Sequence, residues 1–157
     1  MFNDDPSTAT LKVIADAHRQ LGTTRLLPTL ITASEDKTRS AIAATIAAIE
    51  SGTSGIAGLH LEGPHLSVKK KGVHNDSFIR PMEKSDVDLL IEAAARLPVL
   101  KVTIAPENVT LAQTKTLSDA GILLSLGHTD AAYDTCIAYQ QAGVRCVTHL
   151  FLSLIHI

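Results

Sequence analysis

Three residues of the chain combine a metal-binding side chain with a position just past a predicted strand. Glu62 follows Gly58-Leu59-His60-Leu61, His128 follows Leu124-Ser125-Leu126-Gly127, and His149 follows Cys146-Val147-Thr148. One carboxylate and two imidazoles suit zinc or another borderline divalent cation and leave a coordination position for water. Such a centre lowers the pKa of bound water and polarises a carbonyl, which is the chemistry of a hydrolase. It exists only if the fold brings the three strand ends to one rim.

The surrounding pattern supplies that fold. Helices are expected over Leu11–Leu21, over Ser34–Ser51 (Ser34 as N-cap, Gly52 just past the end), from about Ser85 to a stop at Pro98, and over Thr110–Ala120 and Thr129–Ala142. Between them lie apolar runs at Leu26–Ile31, Gly55–Leu61, Val99–Ala105, Ile122–Leu126 and Val144–Thr148, read as strands buried on both faces of a parallel sheet. The alternation fits a doubly wound sheet or part of a (β/α)8 barrel. The barrel is favoured, because no GxGxxG follows the first strand and no GxxxxGK[ST] occurs. Gly52, Gly55 and Gly58 precede a strand and carry no functional weight. In a barrel, residues at the C-terminal strand ends converge.

Composition narrows the function further. The chain has 157 residues, 45% hydrophobic and 19% charged, as expected of one globular domain. A formal charge of −2 offers no broad basic field for nucleic acid or anionic lipid. No apolar run approaches the length of a membrane span and no signal peptide is recognisable at Met1, so a cytoplasmic location is expected. Cys136 and Cys146 lack the spacing of a disulfide framework or a zinc motif.

The local sequences are more specific than the periodicity. His60-Leu61-Glu62-Gly63-Pro64, Lys70-Lys71-Gly72-Val73-His74-Asn75, Val102-Thr103-Ile104-Ala105-Pro106-Glu107, Gly127-His128-Thr129-Asp130-Ala131 and Gly143 to Phe151 occur in the order, and with the gaps, of the N-acetylglucosamine-6-phosphate deacetylases, which the chain resembles from Leu11 to Phe151. The resemblance implies a metal-dependent amidohydrolase that converts N-acetylglucosamine 6-phosphate to glucosamine 6-phosphate and acetate. It implies Glu62, His128 and His149 as ligands of a divalent metal, expected to be zinc, and Val73 and His74 as substrate-binding residues. It also implies about half of a (β/α)8 barrel over residues 1–151, because family members are more than twice as long and their acidic proton-transfer residue has no counterpart here. A homo-oligomer is expected of the full-length parent. Residues 152–157 depart from the family and are read as a truncation or an assembly junction.

Other residues are given lesser roles. His60 is read as a neighbour of the metal ligands or a packed core residue, His65 and Lys69–Lys71 as exposed loop positions, and Glu107 as a rim residue. His18 and His156 receive no role. Two competing readings are a metal-free sugar-phosphate barrel enzyme, which would place a lysine or a carboxylate pair at the strand ends, and an inactive metal-binding fragment.

Overall fold

The structure is a computed structural model, and it describes residues 2–150; the tail 152–157 lies outside them. Five parallel strands, β1 (Thr29–Ile31), β2 (Leu59–Glu62), β3 (Leu100–Ile104), β4 (Leu123–Leu126) and β5 (Cys146–Val147), lie side by side in sequence order. Helices α1 (Thr8–Gln20), α2 (Glu35–Glu50), α3 (Lys84–Arg96), α4 (Leu111–Asp119) and α5 (Tyr133–Gln141) separate or precede them. This is the sheet of a partial (β/α)8 barrel: each strand is joined to its neighbour through a helix, and the order never reverses as it would in a doubly wound sheet.

Local chemistry sets most of the boundaries. Ser34 caps α2 by accepting the Lys37 N–H at 3.4 Å, and Thr110 and Gln113 form a reciprocal capping box at the start of α4. The helix expected from Thr129 begins instead at Tyr133. Thr129 is diverted: its hydroxyl donates to Glu107 Oε2 at 2.8 Å, and the Asp130 N–H donates to Glu107 Oε1 at 2.7 Å. Strand β1 is shorter than the apolar run suggests, with Leu26 making only an isolated bridge to Ile56 ahead of Pro28. The segment from Glu62 to Pro81 contains two short 3₁₀ turns, Val68–Lys70 and Asp76–Phe78.

Side chains alternate across the strands. Leu59, Leu61, Leu100, Val102, Ile104, Leu124 and Leu126 form the apolar row, joined in one core with Ile42, Ile46, Leu90 and Leu117 from the helices. The opposite row is buried but polar, with Thr103 and Ser125 fully inaccessible and His60 and Glu62 nearly so. Two rows of different chemistry, rather than one continuous apolar run, make each strand, and the polar row leads up to the site.

Candidate metal centre

Glu62 is the last residue of β2, and its side chain is 6% exposed. Beyond it the chain turns at Gly63, where φ is +95° and an added Cβ would lie 2.1 Å from Thr32 Oγ1. Only glycine lets the segment after β2 pass so close to the end of β1.

His128 and His149 each lie two residues beyond their strands and both adopt positive φ, +52° and +55°. This turn folds the imidazoles back over the rim. His128 Nε2 lies 2.9 Å and His149 Nε2 2.8 Å from the same atom, Glu62 Oε1. The two rings meet edge to face, with centroids 5.6 Å apart. The three residues expected from strand-end position therefore converge on one oxygen.

His74 arrives from the long loop. It is 3% exposed, its ring packs edge-on to His128 at 4.4 Å, and its Nε2 is 4.0 Å from Glu62 Oε1. The ligand atoms of Glu62, His74 and His128 all lie within 4.8 Å of one another, a buried carboxylate–imidazole cluster able to coordinate a divalent metal. Val73 is 87% exposed and is not brought into the cluster.

Hydrogen bonding distinguishes the two histidines. His74 Nδ1 accepts the Thr32 N–H at 3.4 Å and lies 2.8 Å from Thr32 Oγ1. A backbone N–H can only donate, so Nδ1 is an acceptor and the neutral ring carries its proton on Nε2. His128 is the reverse case: Nδ1 faces the Lys70 carbonyl at 2.9 Å and must donate to it, leaving the Nε2 lone pair directed at a carboxylate oxygen. Two acceptors face one another at 2.9 Å, an arrangement that only a second proton or a cation resolves. The donor set therefore fits a cation.

The electrostatics agree. Burial would raise the Glu62 pKa, but the hydrogen bond from His128 and the surrounding imidazoles outweigh it and hold the carboxyl at about 2. The Glu62 hydrogen bond raises the pKa of His128 against burial, with help from the Lys70 carbonyl. Burial, followed by the neighbouring His128, lowers that of His74.

Thr32 does not stand out in the sequence, although it directly follows a strand and so obeys the rule that locates Glu62. Contrary to expectation, His65 is buried, with Nδ1 donating to the Arg80 carbonyl at 3.0 Å and Nε2 lying 3.7 Å from Asp86. Lys69 and Lys70 are exposed, as expected, and pair with Asp130 across the rim at 3.2 and 3.5 Å. Glu107 is a rim residue that holds the Thr129–Asp130 turn. Cys136 and Cys146 are free thiols. Among the described residues no helix is long and apolar enough to cross a membrane.

A parallel β/α sheet with a carboxylate–imidazole cluster at its C-terminal rim, able to hold a divalent metal, defines the class: part of an amidohydrolase-type barrel. Within that class the chain is similar, over nearly its whole length, to N-acetylglucosamine-6-phosphate deacetylases and their close kin. It is 40% identical over 151 residues to an N-acetylgalactosamine-6-phosphate deacetylase of Shewanella and 37% identical over 150 residues to an N-acetylglucosamine-6-phosphate deacetylase of Haemophilus influenzae, covering 96% of this chain but 38% and 39% of theirs. The crystal structure of N-acetylglucosamine-6-phosphate deacetylase from Pasteurella multocida superposes with a TM-score of 0.90 at 35% identity, covering 96% of this chain and 39% of that one. A mutant of the Mycobacterium smegmatis deacetylase, solved in complex with N-acetyl-D-glucosamine 6-phosphate, superposes with a TM-score of 0.78 at 33% identity, covering 92% and 36%. The chain thus spans less than two-fifths of the relatives it matches. No protein-family model matches it.

Proposed function

We propose that this chain carries the metal centre of an N-acetylglucosamine-6-phosphate deacetylase, with Glu62, His128 and His149 as the ligands of a divalent cation, zinc being a borderline cation that imidazole and carboxylate donors suit. The observation that carries this reading is the approach of His128 Nε2 and His149 Nε2, at 2.9 and 2.8 Å, to the single oxygen Glu62 Oε1. A bound cation would supply an acidified water and polarise the acetamide carbonyl.

The protein groups have separate tasks. Glu62 provides the fixed negative charge and stays ionised throughout the neutral range, because its carboxyl is held at about 2. His128 is fixed through Nδ1 by the Lys70 carbonyl, which aims Nε2 into the site. His74, fixed by Thr32, offers an Nε2 proton to the acetamide carbonyl or a sugar oxygen. Val73, beside it and exposed, offers an apolar surface to the sugar. Hydrolysis adds water across the C–N bond, giving acetate and glucosamine 6-phosphate, and the departing amine needs a proton from an acid not assigned among these residues. A small sugar phosphate requires neither nucleic acid nor a lipid surface, and the cytoplasm is the compartment we assign.

The Shewanella relative makes the galactosamine epimer a second candidate substrate. Metal analysis and saturation-transfer NMR test both readings together. About one zinc per chain is expected, falling away in Glu62→Gln and His149→Ala. Saturation should transfer to the acetamide methyl of one epimer and vanish in His74→Ala. A chain that holds no metal and transfers saturation to neither sugar would overturn the proposal.

A further inference from the structure

Below the site, the polar row forms a chain of hydrogen bonds that takes one residue from each strand or its immediate end. Thr29 Oγ1 lies 3.0 Å from His60 Nδ1, His60 Nε2 lies 2.8 Å from Thr103 Oγ1, Thr103 Oγ1 lies 2.9 Å from Thr148 Oγ1, and Thr148 Oγ1 lies 2.7 Å from Ser125 Oγ. Burial makes this row costly to break, since an unpaired hydroxyl or imidazole there has no water to turn to. Five residues with one mobile proton each can satisfy all four hydrogen bonds with His60 neutral, in either direction along the chain.

The row passes directly beneath the site. Thr148 directly precedes His149, and its own N–H donates to the Leu126 carbonyl at 2.7 Å. His149 is 46% exposed at its side chain and sits in the left-handed region, so its own packing does little to aim it. The second imidazole is touched as well. Gly127, the residue before His128, lies where a Cβ would come 2.8 Å from Thr103 Cγ2 and 2.9 Å from Thr148 Cβ. The Thr103–Thr148 hydrogen bond thus lies directly beneath the turn that presents His128.

We propose that His60 is a positioning residue: through Thr103 and Thr148 it fixes the turn that aims His149 at Glu62. This rests on the metal centre proposed above. Both ring nitrogens of His60 are engaged by threonine hydroxyls, so it acts on the centre through them. Its imidazole is wide enough to join β1 to β3 across β2, which a shorter polar side chain at position 60 could not do.

Co2+ binding followed by its visible d–d absorption tests this, with circular dichroism reporting the fold. His60→Leu, which keeps the volume and removes both nitrogens, and Thr148→Val, which keeps the shape and removes the hydroxyl, are each expected to weaken Co2+ binding about 10- to 100-fold and to alter the band. His60→Gln and Thr148→Ser, which restore a polar group near the deleted one, are expected to recover most of the affinity. On a His149→Ala background, His60→Leu should add only a small further loss, the part that reaches His128 through Thr103, because it acts mainly through His149. If His60→Leu does not fold, Thr148→Val carries the test from the other end of the row. Wild-type affinity in His60→Leu or Thr148→Val, or a full further loss on the His149→Ala background, would overturn the positioning role while leaving the metal centre intact. No Co2+ binding by the wild-type chain would overturn both.

Discussion

Glu62→Gln should remove more than a proposed ligand, and its effect can be worked from the structure. Glu62 Oε1 meets two imidazole nitrogens, at 2.9 and 2.8 Å, on a side chain that is 6% exposed. The fall of its pKa from 4.5 to about 2 corresponds to about 3 kcal/mol of preference for the charged form, at 1.36 kcal/mol per unit. That agrees with about 3–5 kcal/mol for removing one partner of a buried pair. The Glu62 share of this stability is fully present above its unfolded value of 4.5 and is lost as pH falls through about 2. The His128 share is fully present below 6.5 and is lost as pH rises through its elevated folded value. In the metal-free protein the wild type should therefore exceed Glu62→Gln in stability by most between about pH 4.5 and 6.5. Metal binding runs the other way, strengthening as His128 loses its proton. Denaturant melts across pH, an NMR titration of His128 and zinc competition give the three readings. An unchanged His128 titration together with zinc affinity within about twofold of wild type would refute the reasoning, since both follow from one shared oxygen.

Other perturbations probe the frame around that oxygen. Gly127→Ala places a Cβ 2.8 and 2.9 Å from the Thr103 and Thr148 side chains, and overpacking of about 1–3 kcal/mol should appear in the urea midpoint together with weaker zinc binding. Thr32→Val removes the hydroxyl beside His74 Nδ1 but keeps the backbone N–H, so sugar affinity by NMR should fall modestly with zinc content unchanged. Asp86→Asn weakens a bidentate bridge from Arg80, at 2.6 Å on each oxygen, beside buried His65; Arg80 is 37% exposed, so a loss of about 1–2 kcal/mol in the melt is expected, with the metal site intact.

Much of this is legible in the sequence because strand-end position and residue type are local properties. The βα rhythm locates five strands, and Glu62, His128 and His149 emerge from reading one or two residues past them. What cannot be read is anything set by partners distant in the chain. Thr129 looks like an N-cap until Glu107, 22 residues earlier, captures it. His65 looks like a loop residue until Arg80 and Asp86 close over it. Thr103, Ser125 and Thr148 read as ordinary strand residues, and only the register that sets them side by side across three strands turns them into one row.

The two positive-φ histidines bear on what the rim is for. A residue with a Cβ in the left-handed region costs about 1–3 kcal/mol, and the fold accepts that cost twice, at the two imidazoles that meet on Glu62. The same rim turns the Nε2 lone pair of His128 toward a carboxylate, an arrangement that is unfavourable without an added positive charge. A scaffold selected for stability alone would relieve both, since an extended His149 would point away from Glu62 and release the strain. Here the strain is held in place from below, by the Thr103–Thr148–Ser125 hydrogen bonds, and from the side, by the Lys70 carbonyl on His128. Strain and electrostatic conflict coincide at one oxygen, and a single divalent cation between Glu62, His128 and His149 would satisfy the carboxylate and the His128 lone pair together.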